Sequence, residues 1–129
     1  MVVFKGYHHA HLVSRDPEAT ANWYVKALGA EIKGRAEGKR SLNITLTAGE
    51  VNLSVRGLRP NETASENETL TSLGLHHFGL LVDDIEEAIQ QWVEAGGELL
   101  QSSHVGSSGN LVAFVKGPEN VMIELLQPR

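Results

Sequence analysis

The chain has 129 residues, of which 41% are hydrophobic and 21% charged, so by size it is one globular domain that can bury a core without disulfides. It contains no cysteine, which excludes disulfide bonds, thiolate metal ligands and a cysteine nucleophile. The net charge is −5 and no basic stripe is visible, which argues against a nucleic-acid partner.

The first half of the chain is predicted to fold in the order βαβββ. An alternating strand covers about Phe4 to Val13, and a helix follows with Asp16 as its N-cap and Gly29 at its end. The helix side chains predicted to face the core are Ala19, Trp23 and Leu28. Three further strands are predicted at residues 30–36, 41–48 and 51–56.

The second half repeats this order after a polar stretch. Residues 57–74 are rich in Glu, Thr, Ser and Asn and are predicted to be an exposed linker. Asp84 then caps a second helix that runs to Ala95. The predicted strands are residues 75–82, 98–102, 110–116 and 121–127. We therefore expect a single domain, residues 1–129, made of module one (1–56), the linker (57–74) and module two (75–129).

Two short stretches, one in each module, share a pattern. His8-His9 and His76-His77 each open an apolar, strand-like run, and the second histidine is followed seven residues later by Asp16 or Asp84. The offset between the copies is 68 residues. A repeat at fixed spacing indicates a duplicated structural unit, so we expect the histidines to serve one shared site.

Alternation along the strands indicates which side chains face that site. Residues two apart share a face, so His9 and His11 point one way and His8 the other. His77 occupies in module two the place of His9. Glu124 is the single charged residue in an apolar strand, where a carboxylate is expected to be paired or bound to a metal. Two imidazoles and a carboxylate bind divalent metals and leave positions open for substrate.

These motifs resemble the vicinal oxygen chelate superfamily, which takes in glyoxalase I, methylmalonyl-CoA epimerase, fosfomycin-resistance proteins, bleomycin-binding proteins and extradiol dioxygenases. The resemblance covers nearly the whole chain and rests on residues 9–16, 22–29, 77–84 and 117–125. It implies an α+β fold in which two βαβββ modules form an open, U-shaped, eight-stranded mixed sheet around a metal cleft.

The same resemblance implies a ligand set and partners. Carried onto this chain, the family's metal ligands are His9, His77 and Glu124, which would hold one divalent ion. Fe(II) or Mn(II) is favoured, and Zn(II) and Ni(II) are the alternatives. The family usually pairs its modules across subunits, so we expect a homodimer that binds a small substrate with adjacent oxygens. No run of membrane-spanning length and no signal-peptide pattern are visible, and we expect a cytoplasmic protein.

The fourth ligand position of the family bears on the reaction. Aligning residues 51–55 on 121–125 places Ser54 opposite Glu124, whereas glyoxalase I and the epimerases usually have Glu or Gln there. Three ligands favour an extradiol-dioxygenase-like oxidation, although Phe114 stands where those enzymes tend to have tyrosine. Two other functions are possible, a glyoxalase I or epimerase-type isomerase or lyase, and a metal-free protein that sequesters a small molecule. A separate alternative is that Asn52 serves as a weak fourth metal ligand.

His11 and His104 are the candidate catalytic residues. His11 would lie on the cavity face beside the metal ligands and act as a general acid or base. His104 is predicted in a loop rich in glycine and serine, where ring-cleaving dioxygenases carry an active-site histidine. The alternative for His104 is a solvated loop residue.

Overall fold

Two four-stranded sheets, each with one helix packed on it, form the structure, a computed structural model that describes residues 1–64 and 73–129. In chain order the elements are β1 Ala10–Val13, α1 Pro17–Leu28, β2 Glu31–Gly38, β3 Ser41–Ala48, β4 Val51–Arg56, β5 Phe78–Leu81, α2 Ile85–Glu94, β6 Glu98–Val105, β7 Leu111–Lys116, a 3-10 turn Pro118–Asn120 and β8 Met122–Gln127.

The strand order repeats between the modules, β1-β4-β3-β2 in one and β5-β8-β7-β6 in the other. In each sheet the first strand is parallel to the last and the other pairs are antiparallel. The predicted α+β fold of two open βαβββ modules is confirmed. Within the described residues the eight strands form two sheets, since the outer strands β1 and β5 do not pair with each other.

Side-chain caps explain where the helices begin. The Asp16 carboxylate accepts a hydrogen bond from the Ala19 backbone N–H at 3.1 Å, and Asp84 accepts one from the Glu87 N–H at the same distance. Helix α1 ends at Gly29, whose φ of 67° is a left-handed conformation that glycine adopts without steric cost. The predicted caps are therefore present in both modules.

The predicted core face of α1 was wrong in part. Ala19 is exposed because it lies in the first turn on the solvent side, where its N–H meets the cap. Trp23 and Leu28 are half-buried at the margin of the stripe that faces the sheet. The buried side chains, spaced by the helical period, are Thr20, Ala21, Tyr24 and Ala27.

The modules contact each other through their helices. Trp23 of α1 and Trp92 of α2 pack edge to face with ring centroids 4.8 Å apart, and the Trp92 indole N–H donates to the Lys116 carbonyl at 3.0 Å. Gly97 comes so close that a Cβ there would lie 2.3 Å from Trp92 Nε1. The helix-facing sides of both sheets thus share one core, and the opposite face of each sheet is open.

Three strands differ in length from their predictions by three residues or more. β1 starts at Ala10 and residues 1–9 are exposed, because Ala10 already pairs with Leu53, only two residues from the start of β4. β5 likewise starts at Phe78, which pairs with Ile123, the second residue of β8. β6 continues to Val105, which pairs with the first residue of β7.

The predicted linker is only partly within the described residues, since 65–72 lie outside them. Its first part is tied to β4 by Glu62, whose carboxylate lies 2.6 Å from the Arg56 guanidinium and accepts the Arg59 backbone N–H at 2.9 Å. The hydrogen bonds from Arg56 and the Arg59 N–H lower the pKa of Glu62 to about 2.

At 12 and 10 residues, neither helix of the described part is long and apolar enough to span a membrane.

Candidate functional site

The open face of module two holds a histidine–carboxylate pair. His77 Nε2 donates to Glu124 Oε2 at 3.0 Å, and the two side chains are 29% and 23% exposed. β5 lies parallel to β8, and Gly79 of β5 pairs with Glu124 of β8. Because Gly79 has no side chain, nothing from this position stands between the Glu124 carboxylate and His77. The Phe114 ring packs edge-on to His77 at 5.1 Å and shields one side of the pair. Two of the three predicted metal ligands are therefore together.

Module one presents the matching face without a carboxylate. His11 pairs with Ser54 in the same parallel register in which Gly79 pairs with Glu124. The structure thus places Ser54 where the other module has Glu124, as the alignment predicted. His9 precedes β1 and is exposed, with its ring centroid 6.1 Å from that of His11. The Asn52 amide donates to the His8 carbonyl at 3.2 Å, which holds the segment before β1 in place.

The double histidines make the same contact in both modules. The Nδ1 atoms of His8 and His9 lie 2.8 Å apart, and those of His76 and His77 lie at the same distance. One ring donates and the other accepts, with roles set by the tautomers. Histidines that bind metals usually have their second ring nitrogen hydrogen-bonded as well, most often to a carboxylate, a backbone carbonyl or water. Nε2 is the ring nitrogen of His9 that the contact with His8 leaves over, and in His77 Nε2 is the nitrogen that faces Glu124.

The two halves of the predicted site are separate among the residues that the structure describes. Among residues 1–64 and 73–129, no group of three or more His, Cys, Asp or Glu side chains lies close enough to hold one metal ion. His9 contacts His8 and His11, whereas His77 contacts His76 and Glu124. The triad therefore stays a prediction, with one half-site on each module.

The two candidate catalytic histidines have different surroundings. The pKa of His11 is lowered by partial burial and by electrostatic repulsion, mainly from the nearby Arg56. His104 lies in β6 and not in the predicted loop, with its Nδ1 2.9 Å from the Ser102 carbonyl. It pairs with Val112, which puts it on the face of β7 that carries Phe114. The backbones of His104 and Glu124 are two strand-to-strand spacings apart across the sheet and two residues apart along β8. Together these give a distance on the order of 12 Å.

The cavities reveal a feature that the sequence analysis missed. A cleft of about 920 Å³ lies between the modules on their helix side, and none of the predicted site residues borders it. A smaller cavity of about 180 Å³ adjoins His11 and is bordered by Arg56 and Arg59. The sequence shows Arg56 and Arg59 close together at the end of β4, but only the fold brings both of them next to His11.

Comparison with known proteins supports a family assignment. A family model described as the Glyoxalase/Bleomycin resistance protein/Dioxygenase superfamily matches residues 6–125. A glyoxalase family protein from Enterococcus faecalis is similar at 29% identity with a TM-score of 0.76, over 95% of this chain and 98% of that one. The chain belongs to this superfamily, as the resemblance to vicinal oxygen chelate proteins predicted.

Two further solved structures show the same fold at lower identity. A glyoxylase/bleomycin resistance protein/dioxygenase domain from Frankia sp. EAN1pec has a TM-score of 0.80 at 18% identity, over 98% of this chain and 94% of that one. A glyoxalase I mutant from Zea mays has a TM-score of 0.77 at 18% identity, over 94% of this chain and 47% of the maize chain. At this identity the likeness concerns the fold alone.

Proposed function

We propose that the protein is a divalent-metal-dependent enzyme whose ion is held by His9, His77 and Glu124. The observation that carries the proposal is the His77–Glu124 pair, 3.0 Å apart on the open face of module two, matched by His9 at the equivalent place in module one. The Nδ1 partner of each histidine supports ligation through Nε2. When bound, the ion would act as a Lewis acid on two adjacent oxygens of a small substrate.

We further infer that each complete site forms between two chains. Within the described residues His9 does not join the other two ligands, which supports a site whose missing half comes from a second chain. Among the described strands, β1 and β5 are outer strands with one unpaired edge each, and such edges associate readily. Exposed apolar side chains on these strands, Val13 at 40% and Leu81 at 76%, favour burial in a homodimer.

The remaining polar side chains have separate roles in this proposal. His11 lies next to His9 on the open face and would move a proton to or from the substrate. His104 lies on the same face as Phe114 but too far from Glu124 for ligation, so it would contact the distal part of the substrate. Phe114 excludes water from one side of the His77–Glu124 pair.

Among reactions, a ring-cleaving oxidation with Fe(II) or Mn(II) is the first candidate. Ser54 occupies the place at which Glu124 stands in the other module, so the proposed site has three protein ligands and leaves more positions open for reactants. Phe114 favours the second candidate, an isomerase or lyase of the glyoxalase type, because no tyrosine hydroxyl is available beside His77.

The proposal is tested by metal content first and by turnover second. Reconstitution should give one divalent ion per chain, and Glu124→Gln should lose most of it because the only anionic ligand is gone. Glu50→Gln, which removes an exposed carboxylate in the β3–β4 turn, should bind like the wild type. Well under one equivalent in the wild-type protein would refute the proposal.

Turnover then decides between the two reactions. The Fe(II) or Mn(II) protein is tested for oxygen uptake with catechols and hydroquinones, and the Ni(II) or Zn(II) protein for isomerisation of a hemithioacetal. Substrate-dependent oxygen uptake supports the oxidation. Isomerase turnover without oxygen uptake selects the second candidate.

A further inference from the structure

A cluster of cations borders two cavities beside the open face of module one. We define the cationic corner as Lys39, Arg40, Arg56 and Arg59. These side chains line cavities of about 180 and 580 Å³ that share Lys39 and Arg59. The chain as a whole carries −5, so this concentration of positive charge runs against the overall balance.

Among the residues that the structure describes, only one carboxylate borders these cavities, and it is already engaged. Glu62 binds the Arg56 guanidinium through two contacts of 2.6 and 3.0 Å and accepts the Arg59 backbone N–H. Within residues 1–64 and 73–129, the side chains of Lys39, Arg40 and Arg59 form no ion pair. Within the described part of the chain, the corner therefore keeps positive charge that no carboxylate balances.

Arg59 shows an unsatisfied donor at this place. Its Nε is buried and has no hydrogen-bond partner in the described part of the chain. A buried N–H of a charged group without an acceptor is costly, and native structures normally supply one. Arginine binds carboxylate and phosphate through charge-assisted hydrogen bonds, so an anionic ligand in the cavities that Arg59 lines would give its guanidinium an acceptor.

The position of the corner relates it to the proposed metal site. His11 lines the smaller cavity, and its ring also lies 6.1 Å from that of His9. A volume of about 180 Å³ is below that of a complete ligand pocket but accommodates one charged group. A substrate that reaches past His11 would place one end at His9 and the other at Arg59.

We propose that the cationic corner binds a carboxylate or phosphate group of the substrate, so that the enzyme acts on a small anionic molecule. The assignment of this anion to the substrate rests on the proposed function, whereas anion binding at the corner does not need the metal. The strongest contacts are expected from Arg59 and Lys39, because Arg56 is neutralised by Glu62.

The test measures anion binding by calorimetry with chelator-treated protein at low ionic strength. The probes are inorganic phosphate and benzoate, with benzamide as the neutral control. At least one anion should bind, and added salt should weaken the binding because it screens exposed charges. Arg59→Gln should weaken it about tenfold or more, the loss of one charge-assisted hydrogen bond.

Arg35→Gln is the matched control. It removes the same charge from β2 on the helix side of the sheet, where Arg35 binds Glu18 at 2.7 Å. Lys39→Gln serves as a second variant should Arg59→Gln fail to fold. Loss in Arg59→Gln or Lys39→Gln with retention in Arg35→Gln supports the inference, and the anion that binds identifies phosphate or carboxylate. No binding of either anion at millimolar concentration, or equal loss in the control, overturns it.

Metal analysis of the same variants separates this inference from the proposed function. Arg59→Gln should take up the divalent ion as the wild type does, because Arg59 is not among the ligands. Anion binding in a protein that takes up no metal would support the corner and refute the metal site. Metal uptake without anion binding would do the reverse.

Discussion

If each metal site is built from two chains, two defective variants should restore each other. His9→Ala removes the ligand of module one, and Glu124→Ala removes the anionic ligand of module two. Each variant dimer has both sites broken and should bind little metal. In a mixed dimer, one site combines His9 of the Glu124→Ala chain with His77 and Glu124 of the His9→Ala chain, and is complete.

The expected recovery follows from the symmetry of the dimer. Equal amounts of the two variants, mixed by refolding together, give mixed dimers as half of all dimers. Each mixed dimer has one complete site of two, so about one quarter of all sites should regain the ion. Metal analysis after removal of excess ion measures this fraction, and mass spectrometry of the intact dimers confirms that the chains have mixed.

A second mixture is the control. His77→Ala and Glu124→Ala both damage module two, so every site of their mixed dimers lacks one ligand and no metal should return. If the first mixture forms mixed dimers and stays without metal, the sites are not shared between chains. Recovery in both mixtures would contradict the assignment of His77 and Glu124 to one half-site.

Three further predictions concern the core and the linker. Gly97→Ala should lower the free energy of unfolding by about 1 to 3 kcal/mol in chemical denaturation, because its Cβ would meet Trp92, whereas Gly38→Ala meets nothing within 4 Å and should not. Tyr24→Phe should leave stability unchanged or raise it by up to about 1 kcal/mol, since the buried Tyr24 hydroxyl has no hydrogen-bond partner among the described residues; a clear loss would mean that it has one. Because the pKa of Glu62 is lowered, its stabilising effect is complete above the ordinary pKa of 4.5 and is lost as the pH falls toward about 2. The melting temperature of Glu62→Gln should therefore decline less steeply than that of the wild type in this pH interval.

Local signals in the sequence account for most of the fold. The Asp16 and Asp84 caps and the Gly29 stop fix the helices through contacts within a few residues, and β4 was predicted at its observed bounds. The histidine repeat indicated the duplication because both copies keep the same offset. The length of β1 could not be predicted in the same way, because it depends on where β4 begins.

The site depends more on packing between distant elements. The sequence predicted that Ser54 takes in module one the place of Glu124 in module two, and the registers agree with that prediction. Whether the two faces meet depends on how the helices join the modules, and the Trp23–Trp92 contact sets that arrangement. His104 was assigned to a loop because the bulges that let β6 continue past Gln101 leave no sequence signature.

The duplicated fold carries different chemistry in its two halves. Since the parallel registers of β1–β4 and β5–β8 match, each position of one module can be compared with its counterpart in the other. His11 and Ser54 stand where module two has Gly79 and Glu124, and Arg56 stands where module two has Leu126.

These differences arise from the side chains, because the backbone register is the same. Module two supplies the carboxylate of the proposed metal site, and module one supplies cations beside it. A site built from module one of one chain and module two of its partner would contain one carboxylate and one cationic corner. That combination suits a substrate with metal-chelating oxygens at one end and an anionic group at the other, and two copies of the same module would not provide it.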